Sequence, residues 1–235
     1  MGKKILFKTA EFAAKKMLIF IERIKNRAFY NRGKISRIEY ELKKFYLKNV
    51  RRYSSINFYQ SYPPLVIRGA RPTLSRYLIY GLDDYLNKKQ RVLDIGGNTG
   101  FFSLFISSKV KEVDVLEIDK AFCEVCKRLA KHEKIKNVNV LNKDFNTFNP
   151  KEKYDVILSF AVHKHTKMDF KDYMDKVFSM LSKDGFVLIE SHPIGYKGKD
   201  KLESKIKKLE YCKIFKKGKL DDDGRLRTFF YLKRK

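Results

Sequence analysis

Apolar positions recur every three to four residues over 5–29 and again over 35–50, where Ile35, Ile38, Leu42 and Phe45 mark one face with lysines and arginines between them. That is the helical period, so the chain opens on two basic amphipathic helices. Asn31-Arg32-Gly33 parts them with residues suited to a helix stop. A stretch rich in Ser, Tyr and Pro follows over 53–72 and marks a boundary. Beyond it the period shortens, and 91–95, 112–118, 137–141, 154–160 and 185–190 read as buried strands. Helical segments over 101–108, 120–133 and 170–181 lie between most of them. Strands alternating with helices imply parallel pairing with helices on both faces, a doubly wound α/β sheet. Near the end, 210–216 and 225–232 flank an Asp-Asp-Asp-Gly turn and predict an antiparallel hairpin closing that sheet. The expected organisation is a basic helical extension over 1–52, a linker or lid over 53–72 and one α/β domain over 73–235.

Length and composition narrow the class without naming a function. With 235 residues and 43% hydrophobic, the chain can bury one sizeable core. The longest apolar runs, such as 17–21, fall far short of the roughly 20 residues that cross a bilayer, and no signal-peptide pattern opens the chain. Cys123, Cys126 and Cys212 form no disulfide framework, which fits a reducing compartment; the expectation is a cytoplasmic protein. Cys123 and Cys126 have redox or zinc spacing, but they fall inside a predicted helix with no second pair. The net charge of +26 draws anions: phosphorylated metabolites, nucleic acid or an acidic membrane surface, the last through the basic helices.

The chemistry gathers around Arg91-Val-Leu-Asp-Ile-Gly-Gly-Asn-Thr-Gly100, where a strand runs into a glycine-rich turn and a helix opens at Phe101. Such a turn lets the backbone approach a ligand, beside the free N–H groups of a helix start. A nicotinamide fingerprint, G-x-G-x-x-G, fails because Asn98 and Phe101 hold two of its glycine positions. The stretch resembles the first motif of class I S-adenosylmethionine-dependent methyltransferases, with Asp94, Gly96 and Gly100 matching and Asn98 in place of the middle glycine. Asn tolerates the left-handed backbone that the turn requires. The resemblance implies a Rossmann-like sheet and S-adenosyl-L-methionine as cofactor, and it covers the chain beyond the first two helices.

It also implies roles, residue by residue. Glu117 would hold the ribose hydroxyls, with Asp119 as the fallback; Asp144 and the Phe145 backbone N–H would meet the adenine; Asp94 and Gly96 would lie near the methionine end. Gly97, Asn98, Gly100 and Ser159 complete the expected cofactor set. Methyl transfer from a sulfonium is an in-line displacement onto an unprotonated acceptor, so its residues should follow the strands beside the cofactor. His163 and His165 follow the fourth strand and His192 the fifth. Any of them suits a catalytic base, with His163 preferred because it comes first and His165 pointing away into the next helix. Arg68, Arg71, Lys164, Glu190 and Lys197 are the expected acceptor-binding residues. No metal centre is expected, because the two-Glu, two-His spacing of some RNA 3′-end methyltransferases is missing.

The stretch from Glu190 to Lys201 is similar to methylphosphate capping enzymes. The Arg-Gly-Ala-Arg-Pro-Thr run ending at Thr73, with the His-rich loop, is similar to methyltransferases of surface-polysaccharide assembly. The acceptor these resemblances imply is a small-molecule or glycan-linked anion, methylated on oxygen. The alternatives are an RNA methyltransferase and a non-catalytic, cofactor-binding partner subunit.

Overall fold

The computed structural model describes residues 2–49, 57–193, 201–221 and 224–235, with side chains from Met17 onward. Seven strands form one sheet: β1 (Arg91–Ile95), β2 (Glu112–Glu117), β3 (Val138–Asn142), β4 (Tyr154–Phe160), β5 (Leu181–Glu190), β6 (Cys212–Leu220) and β7 (Arg227–Arg234). Their order is β3-β2-β1-β4-β5-β7-β6. The first five run parallel, while β7 pairs antiparallel with both β5 and β6. This is the Rossmann-like, mostly parallel sheet with a C-terminal antiparallel hairpin that the alternation of periods predicts.

Side-chain alternation divides the core in two, because successive residues of a strand point to opposite faces. Val92, Val113, Val115, Val156 and Leu158 pack on one side against α4 (Phe101–Ile106) and α5 (Lys120–His132). Leu93, Ile95, Leu116, Ile157 and Val187 pack on the other against α6 (Phe170–Ser179) and α7 (Leu202–Lys207). Central strands covered on both faces need the near-continuous apolar runs that made them legible.

Several boundaries differ from expectation for identifiable reasons. β3 is a half-exposed edge strand, not a buried one; Val138 and Val140 pack partly on one face and Leu141 partly on the other. β5 begins at Leu181, four residues before the expected Gly185, with Ser182, Lys183 and Asp184 turned toward solvent in its first part. The opening helices are α1 (Gly2–Asn31) and α2 (Arg37–Asn49). Ser36 caps α2, its Oγ accepting from the Glu39 N–H at 3.2 Å, so that helix starts after Ile35.

The stretch expected as a linker or lid folds, over 57–72, into a compact loop. Gln60 bridges Arg71, Tyr62 bridges Ile67, and Phe58, Tyr62 and Ile67 are buried in the same core as the sheet. The loop leads into α3 (Thr73–Tyr80), a helix the apolar pattern does not announce.

Candidate functional site

Winding of the sheet reverses between β1 and β4, and at such a point the carboxyl ends of the strands diverge and leave a crevice. A cleft of about 650 Å³ lies there, lined by Ile95 and Gly96 after β1, Glu117 ending β2, Phe160 and Ala161 at the end of β4, and His192 after β5.

The glycine-rich turn shapes one wall. Gly96, Asn98 and Gly100 are all left-handed, with φ of 67°, 56° and 70°, the conformation anticipated for the Asn. Only Gly96 and Asn98 reach the cleft. Gly97 and Gly100 are packing glycines: an added Cβ would stand 2.5 Å from Val115 Cγ1 at the first and 2.1 Å from Cys126 Sγ at the second. Asp94 is buried behind the turn and accepts a 2.6 Å hydrogen bond from Ser103 Oγ. Burial raises its pKa to about 6 against the opposing effects of Ser103 and Arg76. Its side chain therefore braces the turn against α4 instead of lining the cavity.

Glu117 does line the cavity. Its Oε2 accepts from the Asn98 N–H at 3.0 Å and its Oε1 from the Asp119 N–H at 2.8 Å. Burial raises its pKa, opposed by those same backbone bonds. Asp119 caps α5 by accepting from the Ala121 N–H at 2.8 Å, so the fallback carboxylate is engaged in the helix start. Asp144 and Phe145 line the cleft after β3, with Asp144 Oδ1 accepting from the Asn146 N–H at 2.8 Å. Ser159 lies beneath the wall, fully buried and bonded at 2.8 Å to Tyr173 Oη. Of the expected cofactor set, Gly96, Asn98, Glu117, Asp144 and Phe145 share the cavity; Asp94, Gly97, Gly100 and Ser159 support it from behind.

The histidines require a correction. Residues His163–His165 form a 3-10 turn entered through the left-handed Ala161, and each residue of such a turn rotates the chain by roughly 120°. His165 and His192 line the cleft with ring centroids 5.2 Å apart. His163 is buried behind them, its ring 5.1 Å from His192 and 5.6 Å from Phe170. The expected order is thus reversed: His165 faces the cavity and His163 supports His192. Burial lowers the His192 pKa to about 3, helped by the positive field of His163, His165 and Lys164, and holds the ring neutral near pH 7.

Arg71 and Glu190 are also corrected. Both are fully buried and face each other, Arg71 Nη1 to Glu190 Oε1 at 2.8 Å and Nη2 to Oε2 at 3.0 Å. Arg76 approaches the same carboxylate at 3.5 Å and Arg227 at 3.6 Å, while Tyr80 Oη donates to it. Burial alone would raise the Glu190 pKa, but Arg76 and Arg71 outweigh it and hold the group below the ordinary carboxylate value. This network ties the 57–72 loop and α3 to the end of β5 and leaves neither residue open to an acceptor. Arg68 is exposed and lines a separate hollow of about 400 Å³ beside α1 and α2. Lys164 is half-buried outside the cleft wall, where Lys143 and Lys167 stand instead, and Lys197 lies outside the described residues.

Sequence reasoning missed Tyr59, Arg225 and Arg227, which also line the cleft. Tyr59 Oη accepts from Arg71 Nη1 at 3.3 Å. The two arginines arrive only because β7 inserts beside β5, a pairing that local periodicity does not reveal.

A family model described as a methyltransferase domain matches residues 66–226. The chain is 30% identical over 130 residues to the ribosomal RNA small subunit methyltransferase A of Mesomycoplasma hyopneumoniae (strain 232), covering 54% of this chain and 46% of that protein. It is 34% identical over 80 residues to the protein of the same name from Malacoplasma penetrans (strain HF-2), covering 34% and 29%. The chain thus spans less than half the length of these curated relatives. Among solved structures, YjhP of E. coli superposes with a TM-score of 0.59 at 13% identity, over 68% of this chain and 92% of that one. An rRNA methylase from Streptococcus thermophilus gives 0.55 at 13%, over 70% and 96%; at such identities the likeness is one of fold. With the sheet, the turn and the match over most of its length in agreement, the chain belongs to the methyltransferase-domain family, and that membership implies S-adenosylmethionine as methyl donor.

Proposed function

We propose that this methyltransferase acts on an oxygen of an anionic acceptor, phosphorylated or glycan-linked, of the kind met in surface-polysaccharide assembly. The observation that carries the reading is the company of His165, His192, Arg225 and Arg227 at the β5 and β7 side of a cleft whose other side holds Glu117 and Asp144. Two arginines on the first side and two carboxylates on the second suit a cationic donor and an anionic acceptor meeting in the middle.

The cavity fits the donor by its shape and donor set. A Cβ at Gly96 would stand 2.6 Å from Val162 Cγ2, so only bare backbone leaves that part of the turn open. Glu117 uses one lone pair on each oxygen for a backbone N–H and keeps the others for the ribose hydroxyls. Asp144 and the Phe145 N–H suit the adenine edge. S-adenosylmethionine supplies an electrophilic methyl group on a sulfonium. The work left to this chain is to hold the acceptor oxygen in line and unprotonated.

His192 is the group we assign to that oxygen, with His165 beside it. A neutral ring accepts a hydrogen bond from a hydroxyl. Burial is the larger cause of the depressed His192 pKa and stays in place as the site fills; an anion beside the ring would offset only the smaller contribution from the positive field of His163, His165 and Lys164. The three cysteines are free and buried, in keeping with a cytoplasmic setting.

The names of the two curated relatives favour a second reading, methylation of RNA, and the charge of +26 agrees with it. Incubation with labelled donor and, in parallel, total RNA, nucleotide sugars and glycan precursors separates the two. Label in the glycan or nucleotide fraction supports the first reading and label in RNA replaces it. No transfer to any fraction, with donor binding intact, would favour a cofactor-binding partner subunit.

A further inference from the structure

The first helix packs with its polar side inward. On the α2 side, Arg23 donates to the Leu47 carbonyl at 3.2 Å, Asn26 is buried and donates to the Tyr40 carbonyl at 3.2 Å, and the Tyr30 ring stacks on Tyr40 at 4.7 Å. Ile19 joins the core from the same side, so positions 19, 23, 26 and 30 form the seated stripe. Met17, Phe20 and Ile24 lie on another face and are 66%, 62% and 55% exposed. A helix that buries an asparagine and ties an exposed arginine to α2 while leaving methionine, phenylalanine and isoleucine in water departs from the usual amphipathic arrangement. The exposed face therefore calls for an apolar covering.

Charge selects the covering. Between Met1 and Lys34 the sequence carries ten lysines and arginines against Glu11 and Glu22, and the exposed stripe is flanked by exposed Lys25, Arg27 and Arg32. A second copy of a chain with net charge +26 would bring the same cations to the contact, which like-charge repulsion opposes. An RNA would answer the charge but offers little to aliphatic side chains. A bilayer with anionic headgroups answers both, taking the apolar stripe at the acyl boundary and the cations at the phosphates.

We propose that α1 is a docking surface for an anionic phospholipid bilayer, with the helix lying in the interface and Met17, Phe20 and Ile24 inserted. No helix among the described residues is long and apolar enough to cross a membrane, so the contact is peripheral. This inference does not depend on the acceptor. It deepens the functional reading only by bringing the enzyme to the surface where lipid-linked acceptors are found.

The test uses the full chain in co-sedimentation with phosphatidylcholine vesicles, with and without phosphatidylglycerol. Wild type should pellet with the anionic vesicles and not with the neutral ones, because the stripe is short and needs the headgroup charge. The double variant Met17→Glu, Phe20→Glu changes only side chains that face solvent, so its circular dichroism and donor binding should match wild type. Its partition onto anionic vesicles should fall at least about tenfold, from lost apolar burial and added repulsion. Undiminished partition of that variant would mean non-inserting surface charge and would overturn the proposal. So would a wild type that ignores anionic vesicles. A wild-type dimer that the same variant dissociates, or a bound oligoribonucleotide that it releases, would assign the stripe to those partners instead.

Discussion

At the scale of single residues, Glu117 and His192 carry the sharpest consequences. Glu117→Ala removes the acceptor proposed for both ribose hydroxyls. Donor affinity measured by calorimetry should weaken by about 1.5–3 kcal/mol, the cost of losing hydrogen bonds to a charged group. Unchanged affinity would take the ribose role from Glu117, and Asp119 is already engaged in capping α5. The His192 pKa is depressed from 6.5 to about 3, so the native state resists a proton that the unfolded chain accepts below 6.5. The stability this represents is complete above pH 6.5 and is lost as pH falls toward 3. Asp94, raised to about 6, works in the opposite sense between 3.8 and 6, but its shift is smaller. His192→Gln should therefore flatten the acid side of the stability profile. At pH 5 the variant should gain on the order of 1 kcal/mol relative to wild type, after discounting for screening at the open cleft. Parallel urea-denaturation profiles from pH 7 to 5 would contradict the assignment. What was legible at this scale followed from residue type at Asn98, which sits left-handed, and from the family resemblance at Glu117 and Asp144, which respectively end β2 and follow β3 at one cavity. The order of His163 and His165 was not legible, because it depends on a 3-10 turn that two residues of sequence spacing do not disclose.

At the scale of elements, strands and long helices followed from period, whereas α3 escaped for a physical reason. Leu74, Leu78 and Ile79 face solvent while Arg76 is fully buried, so the apolar pattern points away from the core. The helix is held instead by the Glu190 network, and the same network fastens the 57–72 loop through Arg71. Breaking a buried pair leaves a charge without its partner, at a cost of about 3–5 kcal/mol. Arg71→Met should destabilise by less than that, about 1–3 kcal/mol, since Glu190 keeps Arg76 and Tyr80. Glu190→Gln should destabilise more, because it removes the carboxylate from Arg71, Arg76 and Arg227 together. Arg71→Met should also raise the acceptor KM more than the donor KM, because Tyr59 loses the guanidinium that donates to it at the cleft wall. Chemical denaturation in which Glu190→Gln is the milder variant would show that the network is not centred on that carboxylate.

At the scale of the whole molecule, charge and topology act together on the cleft. Most of the surplus of lysine and arginine is spread along the chain and solubilises its surface; edge strand β6 alone carries Lys213, Lys216, Lys217 and Lys219, which discourage pairing with a second sheet. Insertion of β7 between β5 and β6 concentrates part of that charge, delivering Arg225 and Arg227 to the wall of the cavity proposed for the acceptor. If the acceptor is an anion, its approach is steered by this field, which salt screens over about 10 Å at 0.1 M. The acceptor KM should then rise steeply with ionic strength, while donor affinity, set by Glu117, Asp144 and the backbone of the turn at close range, should change little. Arg225→Ala, exposed and outside the buried network, should reduce the salt slope without unfolding the protein. Steady-state kinetics at several salt concentrations checks both statements. An acceptor KM independent of salt, with Arg225→Ala equal to wild type, would mean that the arginines do not bind the acceptor and that its recognition rests on the histidines and Tyr59.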